Sequence, residues 1–193
     1  HHFADIAQQQ ADAITCLKND AYGLVVLNGG MATRFGGLAK GTVEISDGIS
    51  FLGAKLLDAL KLAQRHGAPA PHVFLMCSSA TNAATHAHLD ANGFFGYPSH
   101  RIFLFNQCES IRFTPSGEVF RDANGQPSYH GTGHGDLPYC IRNLPAFQRF
   151  CESGQVVLLS NVDNVLATTD LNLMGDFLRA EESIAVELVD KNP

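Results

Sequence analysis

The chain has 193 residues, of which 45% are hydrophobic and 17% charged, and its formal net charge is -6. This length and composition favour one α/β domain around a single core. The Lys and Arg residues are scattered, which excludes a nucleic-acid partner. No run approaches the roughly 18 apolar residues of a membrane span, which excludes a membrane partner. We therefore expect a cytoplasmic protein.

Apolar runs rich in β-branched residues alternate along the chain with segments of helical period, which predicts successive β-α units. The predicted strands are residues 24–28, 72–78, 101–107, 155–160 and 184–190. The predicted helices are residues 51–65, 81–91, 137–151 and 171–181. Two turn signals within residues 110–130 predict a small β-hairpin insertion. The expected fold is α/β and Rossmann-like, with three layers around a mainly parallel sheet.

The first predicted strand leads into a glycine-rich loop that contains Gly29 and Gly30. Glycines allow backbone N–H groups to approach a phosphate closely, and Lys40 follows within reach of the same phosphate. The spacing fits neither a dinucleotide-binding loop nor a P-loop. A tight turn beside a solvated lysine is the alternative interpretation.

Polar residues also follow two later strands. The carboxamide of Gln107 offers the donor and the acceptor that the edge of a nucleobase requires. Asp163 comes after the strand at residues 155–160, where a carboxylate is placed to bind Mg²⁺ and to share it with phosphates. The alternatives are a solvated glutamine at a strand end and an Asx turn.

Residues 129–136 form a second glycine-rich segment, in which three glycines alternate with polar residues before a predicted helix. This spacing permits close approach to a flat ligand, although a loop that ends in the capping residue Asp136 is the alternative. His130 and His134 have poor spacing for zinc, so no zinc site is expected. Because all these segments follow strands, a parallel sheet would bring them to one edge.

At these residues the sequence resembles the UDP-glucose pyrophosphorylase family, whose members share five motifs in the same order. The motifs are a Leu-x-Gly-Gly-x-Gly-Thr loop, a Pro-Lys-Gly lysine, a Phe-x-Gln, a Gly-His-Gly-Asp and an Asn-x-Asp-Asn. Here they correspond to the loop from Leu27, to Lys40, to Gln107, and to residues 133–136 and 161–164. The resemblance implies a nucleotidyltransferase fold, with residues 1–193 as the nucleotide-binding portion of one catalytic domain. Because no helix follows the last predicted strand, we expect this domain to be incomplete.

The resemblance also implies the role of each matching residue. Contacts to the nucleotide are expected from Leu27, Asn28, Gly29, Gly30, Lys40, Gln107, Gly133, Asn161 and Asp163. Gln107 and Gly133 are expected to recognise the uracil, and His134 is expected to contact the sugar phosphate. Asp163 is the expected metal ligand. The expected catalytic residues are Lys40, Arg34 and Asp163.

The family resemblance implies a uridylyltransferase that uses UTP, a sugar-1-phosphate and Mg²⁺ to form a UDP-sugar, above all UDP-glucose, and pyrophosphate. A binding domain that holds a uridine nucleotide without turnover is the alternative. The chain end favours this alternative, as does Ala32, which replaces the second loop glycine and adds a Cβ near the phosphates. A dinucleotide-dependent oxidoreductase is disfavoured, because the loop glycines are misplaced and no acidic residue ends the second strand.

Overall fold

The computed structural model describes residues 2–32, 37–154, 156–180 and 182–188. The helices within these ranges are α1 (His2–Lys18), α2 (Phe51–His66), α3 (Ser79–Ala91), α4 (Leu137–Ile141), α5 (Pro145–Cys151) and α6 (Leu171–Arg179). The strands are β1 (Tyr22–Leu27), β2 (Met31–Ala32), β3 (Leu38–Ala39), β4 (Glu44–Ser46), β5 (Ile49–Ser50), β6 (His72–Cys77), β7 (Ile102–Asn106), β8 (Glu109–Ile111), β9 (Tyr129–Gly131) and β10 (Val156–Asn161). None of the described helices has both the length and the hydropathy needed to cross a membrane.

The main sheet has four strands in the order β10-β1-β6-β7, and each neighbouring pair is parallel. The predicted parallel sheet is therefore confirmed. The chain runs from β1 outward to β6 and β7 and then returns to the opposite side of β1 as β10. The strand order thus changes direction between β1 and β10. In open α/β sheets, ligands bind at the carboxyl ends of the strands beside such a switch point.

Side chains of β1 alternate between two hydrophobic cores, one on each face of the sheet. Leu24 and Val26 pack in the core that includes Leu52 of α2. Val25 packs in the opposite core, which includes Phe150 of α5. Helices therefore cover both faces, which confirms the predicted three-layer arrangement.

Helix α1 was not predicted from the sequence. It buries Ala13, Cys16 and Leu17 in the first core, and it packs against α6. At the contact between the two helices, Gly175 lies so close to the backbone of Gln9 that a Cβ would not fit. The amphipathic face of α1 thus completes the layer that covers β1.

Two predicted elements differ from the structure. The predicted helix at residues 137–151 is divided into α4 and α5, because Pro145 lacks an N–H and favours the extended backbone observed at Leu144 (φ -81°, ψ 114°). The predicted strand at residues 184–190 is wrong for its described part. Residues 184–188 pair with no strand among the described residues, and Ile184 and Leu188 are exposed.

The predicted hairpin insertion is confirmed at residues 109–131. Strands β8 and β9 pair in antiparallel fashion at its base, and two further antiparallel bridges join Phe113 to Val119 and Arg121 to Pro127. The insertion begins directly after β7. It therefore rises from the carboxyl edge of the sheet, beside the glycine loop that follows β1.

Candidate functional site

The glycine loop after β1 presents backbone donors at the switch point. The N–H groups of Gly29 and Gly30 donate to no other described residue, and both glycines are partly exposed. On the other side of the loop, the backbone N–H of Lys40 donates to the carbonyl of Gly30 at 3.0 Å. Neighbouring N–H groups that remain unbonded form a favourable site for an anion such as a phosphate.

An ion pair connects this loop to the end of β10. Nζ of Lys40 lies 2.8 Å from Oδ2 of Asp163, and the two side chains are 40% and 37% exposed. The hydrogen bond from Lys40 lowers the pKa of the Asp163 carboxyl, as does the nearby charge of His134, whereas partial burial raises it. Asp163 is therefore ionised at neutral pH. The Lys40 ammonium and the Asp163 carboxylate thus lie side by side at the switch point of the sheet.

Asn28 supports the loop from below. Its side chain is fully buried, and its amide nitrogen donates to Oγ1 of Thr85 at 2.9 Å. Its Oδ1 has no hydrogen-bond partner among the described residues and faces Gly41, where a Cβ would collide with it. Only glycine therefore fits at position 41 beside this asparagine.

The start of α3 holds the same loop from the side. Oγ1 of Thr81 accepts a hydrogen bond from the backbone N–H of Ser78 at 3.0 Å and donates to the carbonyl of Asn28 at 3.1 Å. Oγ of Ser78 donates to the carbonyl of Gly29 at 3.1 Å. These bonds occupy the carbonyls of Asn28 and Gly29, whereas the N–H groups of Gly29 and Gly30 donate to no other described residue.

Gln107 lies between two glycine segments. Its backbone N–H donates to the carbonyl of Cys77 at 2.8 Å, which places it directly above the end of β6. Its carboxamide packs against Gly29 on one side and against Gly131 of the insertion on the other. A Cβ on Gly131 would occupy the position of this carboxamide. The insertion and the β1 loop therefore set the orientation of Gln107 together.

The remaining predicted site residues surround these groups. Asn161 and His134 are exposed, and Gly133 is partly exposed with a φ of 107°, a conformation that favours glycine. The side chains of Leu27 and Asn28 are buried. Arg34 lies outside the described residues.

The structure thus gathers most of the predicted residues at one edge of the sheet. Sequence reasoning missed Ser78, Thr81 and Lys55, which hold the loops in place from within the fold. The spacing of Ser78 and Thr81, typical of a capping box, was a signal for the first two. Ala32 belongs to β2 and pairs with Leu38, so the alanine at this position occupies an ordinary strand.

The residues near Asp163 suit a cation that takes most of its ligands from water and substrate rather than from the protein. Among the described residues, no three His, Cys, Asp or Glu side chains gather into a metal site. Oδ2 of Asp163 accepts a 2.8 Å hydrogen bond from Nζ of Lys40. Mg²⁺ is commonly held by one or two carboxylates together with substrate phosphates and water. The site therefore fits Mg²⁺ that arrives with a nucleotide.

Comparisons with known proteins identify relatives of this chain. The family model described as UTP–glucose-1-phosphate uridylyltransferase matches residues 2–193. The UTP–glucose-1-phosphate uridylyltransferase of Encephalitozoon cuniculi is 28% identical over 171 residues, which are 87% of this chain and 33% of that protein. The enzyme of the same name from Saccharomyces cerevisiae is 26% identical over an alignment of 200 positions, which covers 97% of this chain and 37% of that protein. The chain thus spans about a third of the length of these relatives.

Solved structures share the fold. The UDP-N-acetylglucosamine pyrophosphorylase from Trypanosoma brucei, solved with an inhibitor, superposes with a TM-score of 0.75 at 19% identity, over 89% of this chain and 37% of that one. A variant of UDP-glucose pyrophosphorylase from Leishmania major, solved with UDP-glucose, superposes with a TM-score of 0.69 at 25% identity, over 86% of this chain and 34% of that one. Because the family model covers nearly every residue and the fold agrees, the chain belongs to the UDP-glucose pyrophosphorylase family.

Proposed function

We propose that this chain is the nucleotide-binding portion of a nucleotidyltransferase catalytic domain, and that the protein transfers the uridylyl group of UTP to glucose-1-phosphate. The products are UDP-glucose and pyrophosphate. The observation that carries the proposal is the pair of Lys40 and Asp163 at the switch point, 2.8 Å apart and beside the unbonded N–H groups of the glycine loop. These groups offer what a metal-bound triphosphate needs, namely donors, a cation and a carboxylate.

The position of Gln107 supports uridine as the nucleoside. In the proposed pose the phosphates lie over the β1 loop and Lys40, and the base lies toward β7 and the insertion. The uracil edge carries one N–H donor flanked by carbonyl acceptors, which complement the two halves of a carboxamide. The family description and the UDP-glucose bound to the Leishmania major relative support glucose as the sugar.

The proposed reaction needs little proton transfer from the protein. An oxygen of the sugar phosphate forms a bond to the α-phosphorus of UTP, and the bond from that phosphorus to the pyrophosphate oxygen breaks. Lys40 stabilises the negative charge that develops on the phosphate oxygens, and the glycine N–H groups hold the triphosphate in line for attack. His134, exposed beside Asp163, is proposed to bind the sugar phosphate.

Asp163 is proposed to hold Mg²⁺, and Asn161 lies two residues before it at the start of the same turn. When bound, the ion neutralises phosphate charge and orients the oxygens of the triphosphate. The lowered pKa of Asp163 keeps the carboxylate in its ionised form for this purpose.

A uridine-nucleotide-binding domain without turnover is the second candidate. The observation that favours it is the open sugar side of the site. The imidazole of His134 is exposed and forms no hydrogen bond with another described residue, so one side chain alone marks the sugar phosphate position.

Nucleotide titration tests the proposed binding site. In the presence of Mg²⁺, UTP is expected to bind this chain about tenfold or more tightly than ATP, because the carboxamide of Gln107, held between Gly29 and Gly131, is proposed to pair with the uracil edge. Isothermal titration calorimetry of both nucleotides, with and without EDTA, gives the two dissociation constants. Equal binding of UTP and ATP would refute the role of Gln107. No binding of either nucleotide would refute the site itself.

A further inference from the structure

Lys55 is a buried cation in the middle of helix α2. Lys55 is only 7% exposed, and its Nζ donates a 2.7 Å hydrogen bond to the carbonyl of Ala167. None of the described carboxylates forms an ion pair with this ammonium. Burying an ammonium group without a carboxylate partner is costly, and a methionine of similar length would pack there at lower cost. Packing alone therefore does not account for a lysine at this position.

Its acceptor lies at the end of a short segment that carries Asp163. Residues 161–167 form two consecutive turns after β10. The N–H of Asn164 donates to the carbonyl of Asn161, and the N–H of Ala167 donates to the carbonyl of Asn164, each at 3.2 Å. At the start of this segment the N–H of Val162 donates to the carbonyl of Leu27 in β1 at 3.1 Å. The segment is thus fixed to β1 at one end and to Lys55 at the other, with Asp163 in between.

The charge of Asp163 also acts on Lys55. Burial lowers the pKa of Lys55, while the charges of Asp58 and Asp163 act in the opposite direction. The Asp163 carboxylate is thus contacted by Lys40 at 2.8 Å, and its charge also attracts the buried Lys55 without a direct contact.

We propose that Lys55 is a positioning residue that fixes the turns at residues 161–167. These turns hold the Asp163 carboxylate where it binds the magnesium ion of a magnesium–nucleotide complex. This inference rests on the proposed function. It assigns to Lys55 no contact with the nucleotide. A residue that orients a metal ligand in this way affects metal affinity by about 10- to 100-fold when it is replaced.

Three variants test the inference in the full chain. Lys55→Met removes the charge and the hydrogen bond at nearly constant volume, Lys55→Arg keeps the charge, and Lys61→Met changes an exposed lysine of the same helix. In Lys55→Met, the gain in UTP affinity on adding Mg²⁺ is expected to fall about tenfold or more. UTP affinity in EDTA and the melting temperature are expected to stay near those of the wild-type chain or to rise, because an apolar side chain replaces a buried charge. Lys55→Arg and Lys61→Met are expected to keep the magnesium effect.

A second measurement does not depend on a nucleotide. Hydrogen–deuterium exchange of the free Lys55→Met chain is expected to be faster at Val162, Asn164 and Ala167, with unchanged protection in α2. Unchanged exchange in this segment would overturn the inference, and so would a magnesium effect equal to that of the wild-type chain. In either case, UTP binding by the wild-type chain would still support the proposed function. An equal loss of UTP affinity with and without Mg²⁺ would show a general structural role and also overturn it. A wild-type chain that does not bind UTP would overturn the proposed function and this inference with it.

Discussion

In the Lys40→Ala chain, UTP is expected to bind about 10- to 100-fold more weakly than in the wild-type chain, because a hydrogen bond from a cation to a phosphate is lost. In the complete uridylyltransferase that we propose, the same change is expected to lower kcat by about 100- to 1,000-fold, because charge on the phosphates grows toward the transition state. Calorimetry measures the first effect, and initial rates of pyrophosphate release measure the second.

The fold of the Lys40→Ala chain is expected to remain intact. Both members of the Lys40–Asp163 pair are more than a third exposed, and exposed pairs contribute little to folding. Lys61→Ala, on the exposed face of α2, is the matched control and should leave both readouts unchanged. Asp163→Ala is expected to lower kcat by a similar factor, with the effect on UTP affinity confined to buffers that contain Mg²⁺. Near-normal turnover in either Lys40→Ala or Asp163→Ala would show that the role of that residue is wrong.

Gly131→Ala is expected to weaken UTP binding by about 10- to 100-fold, because the new methyl group displaces the carboxamide of Gln107 and leaves the uracil edge without its partner. Binding of inorganic triphosphate, which lacks a base, is expected to stay unchanged. Calorimetric titration of both ligands separates the base region of the site from the phosphate region. Lys40→Ala, by contrast, should weaken both ligands.

Gly135→Ala provides the control for this prediction. It lies four residues further along the same glycine-rich segment, and an added Cβ meets no atom within 4 Å. Neither Gly131 nor Gly135 has a positive φ, so alanine is compatible with the backbone at both positions. If Gly131→Ala and Gly135→Ala bound UTP equally well, Gln107 would not be the residue that recognises the base.

The sheet could be predicted because its strands are apolar and its two central strands, β1 and β6, are buried on both faces. β1, β6, β7 and β10 are short runs of apolar residues flanked by turn signals, and each was located within two residues of its observed bounds. The parallel arrangement then placed Gly29, Gln107 and Asp163 at one edge, since parallel strands all end on the same side. The position of these residues at the carboxyl edge of the sheet was thus predictable from the order of elements alone.

The errors have local or tertiary causes. Pro145 was a visible signal for the division between α4 and α5. The apolar run at residues 184–188 has the composition of a strand, yet a strand forms only where a partner edge accepts its hydrogen bonds. Helix α1 is rich in alanine and glutamine, and its apolar stripe through Ala13 and Leu17 becomes evident only where it packs on the sheet.

Long-range contacts account for the parts of the site that the sequence did not reveal. The packing of Gln107 between Gly29 and Gly131 joins three segments that are distant in the chain. The hydrogen bond from Lys55 to Ala167 spans 112 residues. No local pattern encodes such contacts, whereas motifs within a single loop are visible to inspection.

The most direct test of the central claim is product formation by the complete protein that contains this chain. With UTP, glucose-1-phosphate and Mg²⁺, the account predicts equal amounts of UDP-glucose and pyrophosphate, measured by anion-exchange chromatography and a coupled pyrophosphate assay. Both products should depend on Lys40. Tight binding of UTP without formation of either product would contradict uridylyl transfer and identify a uridine-nucleotide-binding protein instead.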